Sequence, residues 1–195
     1  MAHQPLPATG ESFYRWRTNW RKVRYNPKVE IPPPHNLRAA VQAAAIRPEV
    51  RLRVEQIYTD LAKEIEDRKP LCILSGRCCH FEDFGHRLYV TTAELAAFLH
   101  DFEHHKQSPQ LANSIKTWTG KGCPFQLNKL CGVHAIRPFG CRIYFCDETS
   151  TDWQNQTYET FHARLKQLHE ELSIPYFYTE WRTALQSLEL LNPKP

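Results

Sequence analysis

Seven cysteines constrain this chain more than any other feature: Cys78 and Cys79 form one group, Cys123, Cys131, Cys141 and Cys146 a second, and Cys72 stands just upstream of the first. Thiols at such short, mixed spacings in a chain without a secretory leader are the vocabulary of a zinc or iron site rather than of disulfides, because reducing compartments keep thiols free to coordinate. The odd count points the same way. A fold that satisfies these residues has to carry the two groups, 44 residues apart from Cys79 to Cys123, to one place.

The chain has 195 residues and a mass of 22.9 kDa, enough for one domain with an arm, and its 42% hydrophobic and 12% aromatic content supports a packed core. No apolar run approaches the roughly 18 residues that span a bilayer, and the N-terminus lacks the apolar stretch of a signal peptide, so the expectation is a cytoplasmic protein with no membrane association. A formal charge of +4 and a sequence pI near 8.7 are too mild to argue for nucleic acid.

The first group reads Cys72-Ile73-Leu74-Ser75-Gly76-Arg77-Cys78-Cys79, or C-x-x-S-G-x-C-C. The second contains Cys123-Pro124-Phe125, then Cys131, then Arg137-Pro138 and Cys141-Arg142. This order resembles the CxxCxxCC cysteine-cluster family, the YkgJ-like zinc- or iron-chelating domains, whose pattern is C-x-x-C-G-x-C-C, a C-P-F/L segment, a further cysteine, an R-P pair and a C-R pair. The resemblance covers Cys72 to Arg142, somewhat over a third of the chain. It implies metal binding by Cys72, Cys78, Cys79, Cys123, Cys131 and Cys141. Ser75 stands where the family has its second cysteine, and Cys146, four residues beyond Cys141, is available as a replacement.

Around this centre the pattern predicts a mostly α fold with a small β-hairpin. Residues 1–36, rich in Pro, Arg, Trp and Tyr, read as an extended basic arm; its interleaved cations and rings could serve single-stranded RNA, but packing of the aromatic side chains onto the domain is the favoured reading. Residues 37–195 read as a single cysteine-cluster domain. A helix is predicted from Pro48, with Val50, Val54, Ile57, Leu61 and Ile65 on one face. His86 to Val90 reads as a short strand, Thr91 and Glu94 as a capping box opening a helix that aligns Leu95, Phe98, Leu99 and Phe102. Pro124 to Val133 reads as a hairpin turning at Asn128 and Lys129. A helix from Tyr158 to Leu172, a break at Ser173 to Pro175 and a last helix capped by Thr179 complete the pattern.

Seven cysteines oversupply one tetrahedral zinc, and neighbouring Cys78 and Cys79 suit a polynuclear site with separate metal atoms. A four-iron cluster spreads charge that a zinc tetrathiolate concentrates, and Arg77, Lys121, Lys129, Arg137 and Arg142 stand beside the thiols to offset the remainder. The balance tips slightly to an iron-sulfur cluster over zinc. His80 and His134 are the histidines nearest the thiols in sequence and candidates for a mixed site. His100, His104 and His105, and His162 with His169, have ligand-like spacing but are better read as solvated helix faces.

No phosphate loop, dinucleotide glycine pattern or Ser/His/Asp arrangement is present. The leading expectation is a metal-binding protein that handles or senses iron or zinc, or passes electrons. The alternatives are a metal-dependent enzyme related to the flagellin lysine methylases, to which the resemblance extends, and a redox module cycling the vicinal Cys78 and Cys79.

Overall fold

A computed structural model describes residues 35–191 apart from 74, 106 and 107, with the backbone alone at 104 and 105. The N-terminal arm lies outside the described residues, save its last two. The described chain is mostly helical, as the periodicity predicts. Helices α1 (Leu37–Ala45) and α2 (Pro48–Arg68) are followed by a 3₁₀ turn at Arg77–Cys79 and a one-turn α3 (Phe81–Phe84). Strand β1 (Tyr89–Thr91) runs straight into α4 (Thr92–His105), and α5 (Pro109–Thr117) precedes a hairpin of β2 (Gln126–Leu127) and β3 (Leu130–Cys131). After a 3₁₀ turn at His134–Ile136 come α6 (Phe139–Ile143), the long α7 (Thr151–Glu171), β4 (Tyr178–Glu180) and α8 (Trp181–Ser187). No described helix is long and apolar enough to cross a membrane.

Pro48 occupies the first turn of α2, where its missing N–H costs nothing, and the helix ends at Lys69 in the left-handed region. Val50, Val54, Ile57 and Leu61 are buried along one face against α4 and α7. The predicted capping box is present: Thr91 N–H donates to Glu94 Oε2 at 2.9 Å and Glu94 N–H to Thr91 Oγ1 at 3.4 Å. Phe98, Phe102, Phe125 and Trp181 meet at ring separations of 5.0–5.8 Å, joining α4, the hairpin and α8 in one core.

Several elements depart from the sequence reading, the first strand among them, which runs Tyr89–Thr91 and not from His86. Thr179 is no helix cap: it pairs with Val90 in an antiparallel β1–β4 ribbon, and Glu180 caps α8 by accepting from Thr183 N–H. The α7 helix begins at Thr151, seven residues before the predicted start, because Trp153 and Gln154 pack against the segment at Phe145 instead of continuing the apolar stripe. Helices α1 and α5 were not predicted, although Leu37, Val41 and Ala44 keep helical spacing and Ser108 before Pro109 is a regular helix start.

Candidate metal centre

The thiols are assembled by two short pieces of irregular backbone locked together. Gly76 adopts φ +69°, a left-handed turn open to glycine, and a side chain there would run into the Lys129 carbonyl. That turn sends the chain into the 3₁₀ segment bearing Cys78 and Cys79. Cys123 N–H then donates to Cys79 O at 2.8 Å, and Gly122, at φ +61°, passes so close that a Cβ would sit 2.9 Å from that same oxygen. The Gln126 side-chain amide completes the lock, its Nε2 donating to Gly76 O at 3.3 Å. The hairpin turns at Asn128 and Lys129, as predicted, both with positive φ, the two-residue turn whose twist matches its strands.

This framework gathers five of the predicted thiols. The Cys79 thiol is buried and hydrogen-bonded with those of Cys123, Cys131 and Cys78, which push its ionisation far up. The same bond from Cys79, aided by Arg137 and His80, holds Cys78 down at about 6. Cys131 is lowered to about 7, again chiefly by Cys79, with the Val133 backbone and Arg137 assisting. Cys141 on α6 is pushed well up by burial and by the negative charge of Cys123, Cys131 and Cys78. A proton held on Cys79 thus stabilises thiolates on either side.

Cys146 stands at the edge of this group. Its Sγ lies 3.5 Å from Ser75 Oγ. Cys72 is exposed, beside the Cys146 segment through the bond of 3.2 Å from Leu71 N–H to Asp147 Oδ2. All seven cysteines are free thiols. As they stand, no three His, Cys, Asp or Glu side chains among the described residues are arranged around one point to hold an ion. The donor set nevertheless suits a thiophilic metal: the Cys79 thiol interacts with those of Cys78, Cys123 and Cys131, Cys141 lies within the field of Cys78, Cys123 and Cys131, and the cation Arg137 acts on Cys78, Cys131 and Cys141.

The surrounding shell is well braced. Arg142 donates to Arg137 O and Ala135 O, each at 2.8 Å, and lies 4.2 Å over the Tyr58 ring, while Arg137 donates to His134 O at 2.9 Å. Glu82 accepts from Gly122 N–H at 2.8 Å and pairs with Arg182 at 2.5 Å, tying the loop before Cys123 to α8. Ser114 of α5 donates to the carbonyls of Pro124 and Gln126.

Of the histidines, His80 contacts Gln126 at 3.3 Å and Asp83 at 3.2 Å. His134 faces Arg137 and Arg142 and is lowered by burial and by both cations. His100 pairs with Asp101 at 3.0 Å; the side chains of His104 and His105 lie outside the described residues. His162 and His169 do not converge: His169 is buried between Ala93 N–H and Ile174 O. The sequence reading missed His86, whose Nε2 lies 3.4 Å from Cys78 O, whose ring stacks on Tyr144 at 5.0 Å, and whose buried Nδ1 has no hydrogen-bond partner among the described residues. Seven residues from Cys79 and outside the motif, it carries no spacing signal. No family profile, curated protein or solved structure matches the chain.

Proposed function

We propose that this chain is a metal-binding protein of the cytoplasm, related to the CxxCxxCC cysteine-cluster proteins, that holds an iron-sulfur cluster, or zinc, through Cys78, Cys79, Cys123, Cys131 and Cys141. Cys146 contributes at the position where Ser75 replaces a thiol, and Cys72 lies at the rim. The observation that carries this reading is the contact of the Cys79 thiol with those of Cys78, Cys123 and Cys131, brought together from separate stretches of sequence.

Bound iron and sulfide would supply electron transfer, and bound zinc a structural cross-link. The protein supplies the rest. The glycine turns at 76 and 122 set the thiol positions by letting the backbone pass close to the Lys129 and Cys79 carbonyls, and Arg137 offsets thiolate charge. Arg142 holds the carbonyls behind α6, so that Cys141 faces inward from a fixed base.

Anaerobic purification followed by metal and acid-labile sulfide analysis tests this. Iron with matching sulfide is the expected result, and zinc without sulfide would identify the other metal. Protein that binds neither metal after anaerobic reconstitution, but in which Cys78 and Cys79 oxidise together to a disulfide, would replace this reading with that of a vicinal-thiol redox module.

A further inference from the structure

Away from the thiols, the seam between α7 and β4 gathers donors that the proposed centre does not use. Tyr158 and His162 are four residues apart on one face of α7, and Tyr176 and Tyr178 are two apart in the extended stretch that enters β4. The phenol oxygens of Tyr158 and Tyr178 are hydrogen-bonded to each other, and His162 Nε2 lies 2.9 Å from the Tyr176 hydroxyl. The His162 ring is 4.8 Å from that of Tyr178 and 5.5 Å from that of Tyr158, so three phenols and one imidazole share a single small patch. Tyr89 stacks on Tyr178 at 5.2 Å and holds it from behind. Tyr176 and Tyr178 are each 38% exposed, which leaves the patch open to solvent.

Two carboxylates, Glu94 and Glu159, bring negative charge to bear on this patch. Burial raises all three phenols, and the carboxylate of Glu94 adds to that rise at each of them, with Glu159 contributing at Tyr158 and Tyr178. Lys166 is the cation that bears on the His162 imidazole.

We propose that Tyr158, Tyr178, Tyr176 and His162 form a second metal site, specific for a hard, highly charged cation of the ferric class. Oxygen donors select such ions, in contrast to the soft thiols of the other centre. On ligation each phenol that binds releases its proton to solvent and donates an oxygen lone pair, and the His162–Tyr176 hydrogen bond opens to free the imidazole nitrogen. No electron changes hands. This site is independent of the thiol centre and stands whether or not that centre holds metal.

The test is a titration of the full chain with ferric nitrilotriacetate, read as a visible difference spectrum and by resonance Raman in the new band. The expected result is a phenolate-to-iron charge-transfer band with tyrosinate ring vibrations, abolished in Tyr178→Phe and requiring at least about tenfold more iron in Tyr158→Phe and His162→Gln. Tyr89→Phe, which removes no donor, should keep it. Absence of the band, its survival in Tyr178→Phe, or its loss on Cys123→Ser would overturn the proposal. Circular dichroism checks folding of each variant; should Tyr178→Phe not fold, the outcome is decided on Tyr176→Phe, where an unchanged spectrum and affinity count against the site.

Discussion

Gly76 and Ser75 show how single residues set the candidate centre. At φ +69° an L side chain costs about 1–2 kcal/mol in backbone strain alone, and at Gly76 it would also meet the Lys129 carbonyl. Gly76→Ala is therefore expected to lower stability by about 2 kcal/mol or more and to reduce metal content, measured by denaturant unfolding and metal analysis on the same preparation. Ser75 and Cys146 are in contact through their side chains at 3.5 Å, so a thiol at position 75 would stand directly beside the place of the Cys146 thiol. A serine hydroxyl ionises too weakly to replace a thiolate. Cys146→Ala is expected to lose metal, and Ser75→Cys in that background to restore it. Full metal content in Cys146→Ala would relegate Cys146 to a bystander thiol.

At the scale of elements, Glu94 joins three of them. Its Oε1 accepts from Tyr58 of α2 and from the N–H of Phe139, the first residue of α6, and its Oε2 accepts from the N–H and hydroxyl of Thr91. Each oxygen thus faces one backbone N–H, so either orientation of a glutamine sets its NH₂ against an immovable donor. Glu94→Gln is expected to cost about 2–3 kcal/mol, read as a shift in the unfolding midpoint at constant slope. The sequence disclosed half of this residue's work. Thr91-x-x-Glu94 is a local pattern, and local patterns also revealed α2, the hairpin and the break at Ser173. The bond to Phe139 spans 45 residues and leaves no trace in spacing. The same limit explains the ribbon: Thr179 looks like a helix cap because a three-residue strand has no periodicity of its own, and only its partner Val90 makes it one. His86 reaches the Cys78 carbonyl and the Tyr144 ring unannounced, because neither contact follows a local spacing rule.

For the whole molecule, acid sensitivity follows from His169, buried at 2% exposure. Ala93 N–H donates to its Nε2 at 3.3 Å and its Nδ1–H donates to Ile174 O at 3.4 Å, so the neutral ring is satisfied and a second proton would face the Ala93 N–H. Burial accordingly lowers its pKa in the folded state. Below the unfolded value of about 6.5 the unfolded chain takes up a proton that the folded chain refuses, so the stabilisation present above that pH is lost as pH falls towards the folded pKa. The loss runs at up to about 1.4 kcal/mol per pH unit for this one proton. Thermal melts between pH 7.5 and about 5 should fall more steeply for the native chain than for His169→Gln; equal slopes would remove His169 from the account.

The β1–β4 ribbon also orders events in time. It closes only when Tyr178–Glu180 pairs with Tyr89–Thr91, and Trp181 N–H then bonds Leu88 O at 2.8 Å. On the ribosome, at about 5–20 residues per second, the stretch from Cys146 to Glu180 takes a few seconds to appear. Throughout that interval every cysteine has already been synthesised while the strand that fastens their scaffold has not, so the nascent thiols meet oxidants and stray metal ions before the fold can discriminate among them.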